Sequence, residues 1–306
     1  MRSAIPLLIL LLLIPLASTH SDSAISNEAR ILLPVGTVAG ESIPVAFLFT
    51  DPETEQPITR LDVTHERVLH VLLASDDLVT FAHLHPEDFP DGLRYESEGQ
   101  RHVFLTFPHP GKYAIAIDYA IAGESHEQVF PVIVPGDVPP LVPLDFTREQ
   151  TVGQYRVTLD APATIRAGSA TRLEFTVTRD GVAVTDLEPY LGEAMHLFFI
   201  NDALNRSAHL HPGGSHPADE DVGRGAQEDA TGTEMSGPAI PFRATFPDPG
   251  AYALYAQFQH AGEVVPVVFH IQVAPARALP LRALLIGAIA LGALLVGRWA
   301  WRFFRT

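Results

Sequence analysis

The stretch ITRLDVTHERVLHVLLASDDLVTFAHLHP, residues 58–86, returns without a gap as VTDLEPYLGEAMHLFFINDALNRSAHLHP, residues 184–212. A shift of 126 positions puts His70 on His196, Asp76 on Asp202, His83 on His209, His85 on His211 and Pro86 on Pro212. Further on, TFPHPGKY at 106–113 returns as TFPDPGAY at 245–252, now with a shift of 139. The extra 13 positions fall between the two matches, so the repeat is a domain with one variable loop. Three histidines kept in register across so long a match are not a coincidence. The duplication fixes both the architecture and the candidate site.

Outward from that match, the chain reads as strands. Arg172 to Thr178 alternates polar and apolar with period two, as a half-buried strand does, and so do Tyr155 to Leu159, Tyr113 to Tyr119, Tyr252 to Phe258 and Val265 to Val273. Turn residues recur between them, as in Ala39-Gly40-Glu41, Arg179-Asp180-Gly181 and Pro110-Gly111. The expectation is an all-β chain of two tandem immunoglobulin-like (cupredoxin-like) β-sandwich domains. Domain one covers 27–134, a stiff Pro-rich linker 135–145, and domain two 146–274. Residues 213–241, poor in apolar side chains, are expected to form a mobile loop.

Both ends carry membrane signals. Met1-Arg2, the apolar run Ile5 to Leu16 and the small residues that follow predict a signal peptide over 1–19. Residues 279–304 read as a single transmembrane helix with a short cytoplasmic tail carrying Arg298, Arg302 and Arg305. The expected location is the bacterial cell envelope, with a periplasmic or extracellular ectodomain. A net charge of −16 and the lack of any basic stripe argue against nucleic acid. The absence of cysteine excludes disulfides, thiolate zinc, Fe–S clusters and blue copper.

The chemistry concentrates in the repeated histidines. On a strand His83 and His85 share a face, their Cα atoms roughly 6.5–7 Å apart, close enough for both rings to reach one ion. A tight turn at Asp76-Asp77 would set His70 directly opposite His83; Asp202-Ala203 would do the same for His196 and His209. Ser75-Asp-Asp-Leu and Asn201-Asp-Ala-Leu also read as capped single helical turns, which would lengthen the connection. The candidate metal ligands are therefore His70, His83 and His85 in one domain and His196, His209 and His211 in the other. Such triads suit Cu2+, with zinc second. Asp62 and Glu188 correspond and are candidates to ligate or to orient an imidazole. Met195 reads mainly as core, and His216 and Met235 as loop residues. Of His65, His102, His109 and His126, none recurs. The bland alternative is a structural corner, its rings bonded to backbone carbonyls or to Asp76 and Asp202.

The pattern Leu61-Asp62, His70, Asp76, His83-Leu84-His85-Pro86 and Thr106 to Tyr113, with its counterparts in the second half, resembles the YtkA-like and FixH-like group of bacterial secreted domains. That resemblance implies an extracytoplasmic immunoglobulin-like fold often associated with heavy-metal or copper handling. No GxSxG elbow, HExxH motif or phosphate-cradling loop appears, so no enzyme is expected. Two functions follow. One is a membrane-anchored, non-enzymatic copper binder working with a metal transporter or another envelope protein. The other is a tandem interaction or assembly module with structural histidines.

Overall fold

The computed structural model describes residues 29–213 and 238–277. Domain one contains β1 (Ala29–Leu32), β2 (Ser42–Phe49), β3 (His70–Ser75), β4 (Phe81–Leu84), β5 (Gln100–Thr106), β6 (Gly111–Ile121) and β7 (Glu124–Val134). Domain two contains β8 (Glu149–Val152), β9 (Tyr155–Asp160), β10 (Ile165–Arg166), β11 (Ala170–Arg179), β12 (Val182–Ala183), β13 (His196–Asn201), β14 (Ser207–Leu210), β15 (Ala239–Thr245), β16 (Gly250–His260) and β17 (Glu263–Ala274).

In domain one a sheet β1-β2-β5 faces a sheet β4-β3-β6-β7, and Val45, Phe47, Val71, Leu73, Val103, Ile115 and Ile117 fill the space between them. Domain two repeats that order as β9-β11-β15 against β14-β13-β16-β17. It adds β8 beside β9, β12 beside β11, and β10, which runs parallel to the end of β17. Two antiparallel sheets in this order make an immunoglobulin-type sandwich. The repeated Tyr113 and Tyr252 supply its corner. Near the start of β6 and β16, each donates its hydroxyl to a carbonyl four residues upstream, on His109 at 2.7 Å and Asp248 at 3.0 Å.

The expected period-two burial holds in β9 and β11. It fails in β6 and β16, which are buried along most of their length, and the neighbouring β3 and β13 are buried at all six residues. The reason is that the middle strands of these two sheets are covered on both faces. Leu72, Ala74, Leu78, Ala114 and Ala116 of domain one form an apolar cluster with Phe198, Ile200, Leu204, Ala253 and Tyr255 of domain two. The alanines let the two sheets approach closely. Phe81 stacks on Tyr255 with centroids 4.3 Å apart, and His270 lies 3.1 Å from both the Leu78 and Asp145 carbonyls, tying the connecting segment to the contact.

Two expectations are corrected. The β3–β4 turn is longer than two residues: Ser75 N donates to Thr80 O, and Leu78 adopts φ +57°. The side chain of Asp77 accepts from Ser75 Oγ, Val79 N and Thr80 N and holds the loop. Leu72, not His70, therefore lies opposite His83, and Phe198 opposite His209. The slip is two residues, which preserves the face; a slip of one would have turned the histidines away. The fold class also needs correction in its membrane parts. Among the described residues the only helical turns are two short 3-10 turns, Pro86–Asp88 and Glu96–Glu98, and no helix is long and apolar enough to cross a membrane. The segments read as signal peptide (1–19) and transmembrane helix (279–304) lie outside the described residues, as does most of the expected loop (213–241).

Candidate metal centre

Each triad is assembled by two adjacent strands and the residue that follows them. His70 opens β3, His83 sits on β4, and His85 follows β4 just before the 3-10 turn at Pro86. His70 Nδ1 lies 3.2 Å from His83 Nε2, which lies 2.9 Å from His85 Nε2. The second triad matches it atom for atom. His196 Nδ1 is 2.8 Å from His209 Nε2, and His211 Nε2 is 3.0 Å from the same atom. In both groups one ring nitrogen from each histidine falls within 4.8 Å of the others, so each group is able to hold a metal ion.

The outer nitrogens explain which atoms are free to ligate. His70 Nε2 is 3.1 Å from the Thr64 carbonyl and His196 Nε2 is 2.8 Å from the Tyr190 carbonyl. A carbonyl only accepts, so each outer nitrogen carries the proton and each inner Nδ1 presents a lone pair. His85 Nδ1 meets Asp88 Oδ2 at 3.0 Å, and His83 Nδ1 meets Gln257 Oε1 at 2.8 Å. His209 Nδ1 meets Asp118 Oδ2 at 3.0 Å. Outer oxygens of this kind fix the tautomer of metal-binding histidines. The inner nitrogens of His83 and His209 lie 2.8–3.2 Å from those of their two partners, which fits an ion held at about 2.0–2.1 Å with angles of roughly 85–105° between those ligands.

Burial favours the neutral form, the form that ligates, in His70, His83, His196, His209 and His211. Burial, and then the neighbouring His85, holds His70 down to about 3; burial holds His196 down to about 4. Burial, followed by His65, takes His211 to about 2, and burial among imidazoles keeps His83 and His209 well below the usual range. Burial, and then Glu127, pushes Asp118 up to about 8.

The two triads also meet each other. His70 and His209 have ring centroids 4.7 Å apart, and His83 and His196 6.0 Å. Phe198 lies between them, stacked on His209 at 3.9 Å and 4.5 Å from His83. His65 reaches from domain one to stack on His211 at 3.5 Å, with Nδ1 3.5 Å from Glu193 of domain two.

The remaining candidates fall elsewhere. Asp62 accepts from Gly123 N and Glu188 from Gly262 N and Gln259 Nε2; they secure the β6–β7 and β16–β17 turns rather than an imidazole. Asp76 and Asp202 lie at the far end of β3 and β13 from the histidines, so they do not anchor the rings. Met195 is fully buried in the core of domain two. His216 and Met235 lie outside the described residues. His102 meets Gln100, His109 meets Tyr113 and Asp77, and His126 stacks on Tyr119. The residues missed were the orienting oxygens of Asp88, Asp118 and Gln257. The last two left a signal, since the 139-residue shift superposes one polar side chain in the middle of each long apolar strand.

A family model described as "Domain of unknown function (DUF8832)" matches the chain twice, at residues 26–136 and 150–275. The match carries this family and a tandem arrangement; it does not carry the expected resemblance to the YtkA-like and FixH-like group. No curated protein matches. Solved structures similar to the chain include native E. coli alpha-2-macroglobulin, 11% identical over 81% of this chain and 17% of that one, with a TM-score of 0.23. Invasin, a bacterial integrin-binding protein, is 11% identical over 79% and 39%, TM-score 0.21, and the D0-D1 domain of intimin 10% identical over 80% and 98%, TM-score 0.18. The chain thus spans less than half the length of the first two. At these scores none of the likenesses bears on function.

Proposed function

The chain belongs to the DUF8832 family, and from its two histidine triads we propose that it binds a transition metal, one ion per triad, without catalysing a reaction. The observation that carries this reading is the set of inner nitrogens turned toward one another while oxygens meet the outer nitrogens of His70, His83, His85, His196 and His209. Three imidazoles with an open fourth position suit Cu2+ first, since it stands highest in the divalent affinity order, and zinc second. A structural corner has no need of converging nitrogens. We place the protein outside the cytoplasm on the strength of the Ile5–Leu16 run, passing its ion to or from another envelope protein.

The test is metal analysis of the full chain after dialysis against Cu2+. Two ions per chain are expected. The double variant His83→Ala, His85→Ala should keep one, with the His196, His209 and His211 centre intact. A variant that keeps both ions but unfolds at lower temperature would make the histidines structural.

A further inference from the structure

Two of the orienting oxygens come from the opposite domain. The side chain that receives Nδ1 of the domain-one histidine His83 is Gln257, on β16 of domain two. The side chain that meets Nδ1 of the domain-two histidine His209 is Asp118, on β6 of domain one. Positions 118 and 257 are the same position of the repeat, so the face-to-face packing swaps the two partners reciprocally. The swap is symmetric in place and unequal in chemistry, because one arm is a carboxyl group that can ionise beside a cation and the other an amide that cannot. A carboxylate makes the imidazole it orients a stronger ligand than an amide does, and it offsets part of the charge of a divalent ion.

A second difference points the same way. His65 and Glu66 occupy the two central positions of a tight turn closed by Thr64 and Arg67, with φ of +49° and +65°. Type I′ geometry of this kind favours Asn and Gly, so two bulky residues there store backbone strain. The turn delivers the His65 ring onto His211. The matching turn of domain two carries Leu191 and Gly192, so His85 receives no such neighbour from it.

We propose that the two centres are cross-wired and unequal: Asp118 of domain one makes the domain-two centre the tighter site, and Gln257 of domain two positions the weaker domain-one centre. This rests on the metal-binding reading above. Asp118 and Gln257 are positioning residues, since each acts on the metal through an imidazole of the other domain.

Calorimetric titration of the full chain with Cu2+, with EPR spectra of the first and second ion, tests it. The wild type should bind in two steps of different affinity, and His196→Ala should remove the tight step. Asp118→Asn should weaken the tight step by about 10- to 100-fold and change the spectrum of that ion alone. Gln257→Glu should strengthen the weak step and leave the tight one; if Asp118→Asn does not fold, this arm decides. Two equal steps, or variants acting on the centre of their own domain, would overturn the inference while leaving the metal-binding reading standing. A wild type that takes up no Cu2+ would sink both.

Discussion

A single residue type carries the opposing demands of this protein. Buried imidazole is a good ligand because it stays neutral, yet a neutral buried imidazole penalises the folded state in acid. His70 is held to about 3 and His196 to about 4, with His83, His209 and His211 lowered as well, while in the unfolded chain each takes a proton near pH 6.5. Below pH 6.5 the unfolded state therefore binds protons that the folded state refuses, and stability falls with pH until the folded values are reached. Each such histidine contributes up to about 1.4 kcal/mol per pH unit. The urea midpoint of the metal-free protein should be flat from pH 8 to 7 and drop steeply from 6.5 to 5; a flat profile down to 5 would contradict the burial. The same scale holds the corner tyrosines. Tyr113→Phe removes the hydroxyl that donates to His109 O and also meets His109 N and Nδ1, and should cost about 0.5–1.5 kcal/mol in a denaturant titration with no change in metal content.

At the scale of the element, the duplication was readable and the packing between its copies was not. Alternation located β9 and β11, and the repeated Tyr-Ala-x-Ala and Tyr-Ala-Leu-Tyr runs located β6 and β16. Period two in those last two predicts a face toward water, yet both are buried along most of their length. The runs Val71 to Ala74 and Leu197 to Ile200 are unbroken apolar sequence, the mark of strands covered on both faces. What covers them is the other copy, a fact about tertiary arrangement that no local period encodes. The turn failed for a related reason. Asp77 and Asn201 hold their loops through side-chain bonds to backbone amides, and counting residues cannot separate such a loop from a two-residue hairpin. The triads survived that error because the face did. The interface itself is testable at Ala253, which is fully buried between the sheets. Ala253→Leu should overpack the contact, cost about 1–3 kcal/mol, and weaken both centres, since both depend on oxygens from across it. Unchanged metal affinity with lowered stability would show that the sheets' separation does not matter to the rings.

For the whole molecule, the triads make the two sandwiches mutually dependent. Neither domain completes its own site: His83 needs Gln257, His209 needs Asp118, and His65 spans the gap. Metal should therefore stabilise the pair rather than one half. A ligand that binds only the folded state contributes about 2.7 kcal/mol at a concentration one hundred times its Kd, and two ions contribute about twice that. For a cooperative unit of about 150–250 residues, each kcal/mol raises the midpoint by about 2–4 °C. Differential scanning calorimetry with Cu2+ should show one transition for both domains, raised by about 10–20 °C and returned by a chelator. Two separate transitions, only one of them moved by copper, would mean that the domains unfold independently and that the contact between the triads does not bind them into one unit.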